Sequence, residues 1–148
     1  MATIPAITIP SLPSPVDQML RNFVEEASET FGVDLLSVVL YGSAAEGRLR
    51  ATSDVNVILI LSVFDQMKVD RLREPLRVAH AAIQLTTMFL LREEIAPAAT
   101  AFAQKFADIL RRHVILYGED LFEHVTIPRS ALITRLRQVL LNQLLRLR

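Results

Sequence analysis

Gly42 and Ser43 close one apolar run, and Asp54 and Asn56 open the next, in the stretch VVLYGSAAEGRLRATSDVNVILIL, residues 38–61. Residues two apart on a strand share a face, so Asp54 and Asn56 are expected side by side. Asp and Asn are disfavoured in strands, yet here they head an unbroken VILIL core run. The segment SAAEGRL after Gly42 reads as a turn into a short helix, which would present free backbone N–H groups and the positive end of a helix dipole. Phosphates bind such places. Gly42 would let an anion approach the backbone, the Ser43 hydroxyl would donate to a phosphate oxygen, and Arg48 and Arg50 flank the turn as cations for a polyphosphate tail. Ten residues separate Ser43 from Asp54. From there the Asp54 carboxylate, with the Asn56 amide oxygen, could hold Mg²⁺ against the anion. Each feature also has a plainer reading: Gly-Ser is ordinary turn chemistry, the polar pair a solvated strand end, and Arg48 part of a surface loop.

The elements that must position these residues follow from periodicity. Four prolines, Pro5, Pro10, Pro13 and Pro15, make residues 1–15 an extended arm. Met19, Leu20, Phe23, Val24, Ala27 and Phe31 recur at helical spacing from Val16, and Gly32 is a C-terminal cap. Leu35–Tyr41 and Val55–Val63 read as strands. Residues 65–82 have a helical pattern that Glu74-Pro75 should restart or kink. Ile83–Leu91 is a third strand, Pro97–Arg112 a helix opened by a turn at Glu93-Glu94, and residues 114–118 a fourth strand. Residues 129–148 form a last helix. Helices alternating with short strands give an α/β or α+β class, with a small mixed sheet of about four strands flanked by helices and a long C-terminal helix. The expected organisation is an arm over 1–15, one domain over 16–127 and a C-terminal amphipathic helix over 128–148.

Composition narrows what such a domain does. Sixteen basic residues balance 16 acidic ones, so no overall field draws it to nucleic acid or an anionic membrane. There is no cysteine, hence no disulfide framework and no thiolate zinc site. No apolar run approaches the ~20 residues that span a bilayer. A cytoplasmic protein is expected. His80, His113 and His124 lack ligand spacing and are assigned no role, and Arg111-Arg112 reads as a solvated helix end.

GSAAEGRLRATSDVNVIL resembles the Gly-Ser, ten residues, Asp-x-Asp signature of the DNA polymerase β-like nucleotidyltransferases, in particular the small bacterial minimal nucleotidyltransferases. The likeness extends over roughly residues 16–125, through the LREEI and VILYGEDLF segments. It implies that Gly42 and Ser43 hold a nucleoside triphosphate, and that Asp54 is the catalytic carboxylate and a metal ligand. In that family two aspartates two apart and a third acid on a later strand carry two Mg²⁺ ions. These activate a hydroxyl that attacks the α-phosphate and displaces pyrophosphate. Here Asn56 stands where the second aspartate should be, and the strand IQLTTMFLL offers Gln84, Thr86 and Thr87 but no acid before Glu93. One carboxylate remains of three, so Mg²⁺ binding is expected to be weak or absent and nucleotidyl transfer impaired. The alternative is a pseudoenzyme that keeps the fold as an antitoxin-like or oligomerising regulatory module.

The C-terminal helix supports that alternative. Leu132, Leu136, Val139, Leu140, Leu144 and Leu147 share a broad apolar face, while Arg135, Arg137, Arg146 and Arg148 lie on the other side. Such a face either packs on the sheet of its own domain or awaits a helical partner, a second copy or a further helical region.

Overall fold

The computed structural model describes residues 12–146. Most of the proline-rich arm, and Leu147 and Arg148 of the last helix, lie outside them. Four strands form one mixed sheet in the order β3-β2-β1-β4. β1 (Leu35–Tyr41) runs antiparallel to both β2 (Val55–Leu61) and β4 (His113–Gly118), and β2 runs parallel to β3 (Leu85–Leu91). The helices are α1 (Ser14–Phe31), α2 (Gln66–Ile83), α3 (Ile95–Ala101), α4 (Ala103–Arg111) and α5 (Arg129–Arg146). The α+β class and the four-strand mixed sheet are as the sequence implied.

The sheet is covered on both faces, which is why its inner strands read as apolar runs without alternation. Val55, Val57, Leu59 and Leu61 of β2 face one layer with Leu20, Phe23, Ala27 and Phe31 of α1 and Leu72 and Ala79 of α2. Ile58 and Ile60 face the other layer, made by Ile95 and Ala99 of α3, Phe106 and Ile109 of α4, and Phe122. Each fully buried Leu or Ile contributes about 1.5–3 kcal/mol. β4 meets β1 over a bulge, and Gly118 there has φ +76° with its backbone against Leu36: a Cβ would lie 2.0 Å from the Leu36 carbonyl oxygen.

Several boundaries differ from those the sequence suggested, each for a local reason. α1 starts at Ser14, within the expected arm, because Pro15 occupies its first turn, where the missing N–H costs nothing. Pro75 does not interrupt α2. The carbonyl it leaves without a donor belongs to exposed Arg71, and buried Leu72 and Ala79 hold the helix on either side. α2 is capped at its start by the Asp65 carboxylate, which accepts from Met67 and Lys68 N–H, and at its end by left-handed Gln84. β3 therefore begins at Leu85 rather than Ile83. The helix expected over 97–112 is two helices broken at exposed Phe102.

α5 departs most. None of its residues is buried, and Leu136, Leu140, Leu141, Leu144 and Leu145 are all more than half exposed. Its apolar face does not pack on the sheet. Among the described residues no helix is long and apolar enough to cross a membrane.

Candidate functional site

β1 delivers Tyr41 and Gly42 to one end of the sheet, and the chain then turns sharply. The sequence suggested a helix after Ser43; the structure has a series of tight turns instead. Ala45 N–H donates to the Gly42 carbonyl, Glu46 to Ser43, Gly47 to Ala44, and Arg48 back to Ser43 at 2.9 Å. Small Ala44 and Ala45 are buried beneath it, and three-residue spacing lets the chain reverse before an α-helical bond can form. There is accordingly no helix macrodipole at Ser43. Among the described residues neither the Ser43 nor the Ala44 amide has a protein acceptor; Ser43 is half-buried, whereas Ala44 is fully buried. Gly42 has φ +84°, which favours glycine, and its N–H is held by the Arg112 carbonyl at 3.1 Å.

The neighbouring strands bring the expected polar residues to that end. Tyr41 pairs with Asn56 across β1 and β2, Asn56 with Thr86 across β2 and β3, and Tyr41 with His113 across β1 and β4. Thr86, Asn56, Tyr41 and His113 thus form one row. A Cβ on Gly42 would sit 3.6 Å from the Asn56 amide nitrogen, so Asn56 lies directly beside the turn. Its amide oxygen is taken: the Thr86 hydroxyl donates to Asn56 Oδ1 at 2.8 Å. Of Gln84, Thr86 and Thr87, where the missing acid was sought, Thr86 is the one beside Asn56. Gln84 is instead the left-handed cap of α2, and its carbonyl accepts from Val55 N–H.

Asp54 precedes β2, is exposed, and makes no hydrogen bond or ion pair among the described residues. Arg48 is exposed and its side chain is likewise unpaired. Burial raises the Tyr41 phenol above its ordinary pKa, so it stays a neutral donor. His113 is more engaged than the sequence revealed: Nε2 meets Asp120 Oδ2 at 3.1 Å and Nδ1 meets the Ile109 carbonyl at 3.0 Å.

Arg112 was missed as a site residue, because from sequence it reads as a helix-end cation. The structure puts it against the turn. Its Nη2 donates to Asp108 Oδ2 at 2.6 Å and its Nη1 to Glu46 Oε2 at 3.3 Å. The hydrogen bond from Arg112 holds the Asp108 carboxyl below its ordinary range. Glu46 and Arg48, neighbours in sequence, do not pair with one another; Glu46 reaches Arg112.

A two-metal site of the nucleotidyltransferase type needs several carboxylates to neutralise Mg²⁺. Asp54, Asn56 and Thr86 supply one. Among the described residues no group of three or more His, Cys, Asp or Glu could hold a metal ion. The donor set does not fit a two-metal centre.

No protein-family model matches the chain. It is 32% identical over 56 residues to protein MJ1305 of Methanocaldococcus jannaschii, which carries the provisional name of a protein adenylyltransferase; the match spans 38% of each chain. Among solved structures, spectinomycin adenyltransferase AAD(9) of Enterococcus faecialis, determined with ATP and spectinomycin, superimposes with a TM-score of 0.65 at 15% identity. That overlap covers 78% of this chain and 62% of the other. The chain therefore spans less than two thirds of either relative. A looser match, TM-score 0.44 at 12% identity, is a toxin–antitoxin structure with AMP-PNP, covering 84% of this chain and 88% of that one. The shared fold is that of the nucleotidyltransferases.

Proposed function

We propose that this nucleotidyltransferase-fold domain binds a nucleoside triphosphate at the Gly42–Ser43 turn and transfers the nucleotide weakly or not at all. Gly42 admits the phosphates to the backbone, while the unpaired Ser43 amide and the Ser43 hydroxyl donate to them. Asp54 lies on the Asn56 face of the strand if the pleat is carried back one residue, and stands as the remaining candidate metal ligand and catalytic carboxylate. Arg48 flanks the phosphates from the far side of the turn. The observation that carries the reading is the Thr86–Asn56 hydrogen bond. Where the resembled family places two carboxylates, this chain places a hydroxyl and an amide that satisfy each other, an arrangement stable without a cation.

Adenine is the base to test first, since adenylyl transfer is in the names of both relatives. ATP and GTP should each be tried with and without Mg²⁺. A ligand at 100 times its Kd adds about 2.7 kcal/mol, enough to move the melting temperature by several degrees. The expected result is a shift with little dependence on Mg²⁺ and no pyrophosphate release above background. Robust release abolished by Asp54→Ala would overturn the reading.

The exposed leucine stripe of α5 favours a second reading, a regulatory or oligomerising module in which α5 docks on a second copy or on a helical partner. Light scattering should then show a dimer or larger species, reduced to monomer by Leu140→Glu with Leu144→Glu while the sheet domain keeps its melting temperature. A monomer at high concentration rules out the homo-oligomer.

A further inference from the structure

Arg112 is anchored on one side and underused on the other. Its carbonyl holds Gly42 N–H and one guanidinium nitrogen is gripped by Asp108, so both its backbone and its side chain are fixed beside the turn. The remaining N–H groups are poorly served: Nη1 has only the long contact to Glu46, and Nε is buried with no partner at all. A guanidinium presents five donors in a planar fork that suits phosphate oxygens. Within the same turn the Ser43 and Ala44 amides also lack acceptors. Asp108 occupies one edge of the guanidinium, and the other edge meets only Glu46, a residue of the turn whose Ser43 amide is itself unfilled.

We propose that Arg112 is the phosphate-gripping residue of the Ser43 turn, and that Glu46 is a built-in stand-in for the anion, displaced when a polyphosphate binds. The inference rests on the nucleotide-binding reading above and names the group that reads the phosphate tail. Asp108 acts through Arg112 as a positioning residue: it holds the guanidinium from α4, so that exchanging Glu46 for phosphate needs no movement of the arginine. The ligand chemistry is a chain of phosphates, shared by nucleoside triphosphates and by inorganic polyphosphate, and the two sources are separated by titrating each.

Calorimetric titration of ATP and of inorganic tripolyphosphate, without added metal, should be compared for the unmodified protein and for Glu46→Gln, Arg112→Gln, Arg112→Lys and Glu119→Gln. Removing the competing carboxylate in Glu46→Gln should tighten both ligands roughly two- to fivefold, the range a partly exposed ion pair allows. Arg112→Gln should weaken both at least tenfold, and Arg112→Lys should restore only part, because an ammonium lacks the fork. Glu119→Gln removes one exposed negative charge away from the turn and should change little. A merely structural ion pair predicts the opposite for Glu46→Gln: lower stability and no tighter binding. Equal binding by Glu46→Gln and the unmodified protein overturns the proposal, as does equal tightening by Glu119→Gln, which would make the effect one of net charge. ATP binding that Arg112→Gln leaves unchanged sinks the role of Arg112 and spares the nucleotide site. Failure of either ligand to bind both the unmodified protein and Glu46→Gln removes both. Tripolyphosphate binding as tightly as ATP would place recognition in the phosphates alone.

Discussion

Replacing Asn56 by aspartate restores one acid of the signature and tests whether residues 54 and 56 face one site. Two residues along a strand span ~6.6 Å. Unit charges at that distance repel by about 0.6 kcal/mol in water and ~2.5 kcal/mol at an effective dielectric of 20. Asp54 is exposed and position 56 half-buried, so the cost should fall between these limits. The Thr86 hydroxyl, 2.8 Å from Oδ1, still has its acceptor, and its bond becomes charge-assisted, which offsets part of the loss. The net expectation is about 1 kcal/mol at neutral pH, a fall of about 2–4 °C in melting temperature. The new carboxyl gains a like-charged neighbour on folding, so its folded pKa lies above its unfolded one. The folded state then binds more protons, and the penalty is absent at low pH and grows as pH rises through the carboxylate range. Millimolar Mg²⁺ should recover part of it by bridging the two carboxylates. Thermal melts from acid to neutral pH, in the Asn56→Asp protein and in the same change on an Asp54→Ala background, measure the coupling directly. With Asp54 gone the penalty should shrink to a few tenths of a kcal/mol. An equal loss in both backgrounds would show that the two side chains do not share a site.

Nucleotidyl transfer should stay absent in Asn56→Asp and emerge only when Thr86→Asp is added, as followed by pyrophosphate release with Mg²⁺ or Mn²⁺; release by the single variant would mean that an acid elsewhere completes the site. Gly118→Ala should be among the most damaging single changes, costing more than about 3 kcal/mol, because its Cβ would meet the Leu36 carbonyl oxygen at a positive φ; denaturant melts would show this as a lowered midpoint. Asp108→Asn should lower stability by less than about 1 kcal/mol, since the pair is partly exposed. The Asp108 pKa is depressed by folding, so its contribution is present above the ordinary aspartate range and lost as pH falls below it; the variant and parent should converge in acid.

The strands were legible because burial on both faces writes them as unbroken runs such as VILIL, and the neighbourhood of the candidate residues was legible because spacing carries over into register. The ten residues between Ser43 and Asp54 do place Asn56 beside Gly42. Hydrogen-bond partners were not legible. Nothing in the sequence distinguishes a helix from a series of turns over SAAEGRL, since alanine and glutamate suit both. Nor could it say which of Gln84 and Thr86 meets Asn56, a matter decided by where α2 ends and Gln84 turns left-handed. Arg112 was passed over because its place beside the turn depends on an antiparallel pairing between distant strands, and helix-end arginines are commonplace. The α5 leucines stand exposed, and neither their spacing nor their exposure specifies a partner.

The hydrogen bond from Gly42 to the Arg112 carbonyl also bears on how the chain folds. The hairpin of β1 and β2 closes a short loop and can form early, turn included. α2, β3, α3 and α4 lie between β2 and β4 in sequence, so the pairing of β4 with β1 closes a long loop, with the larger entropic cost. Until it does, Gly42 lacks its tether and Arg112 is far from Ser43. The polar end of the sheet thus depends on a contact of large sequence separation, and a chain with only its hairpin formed does not yet hold Arg112 beside the turn.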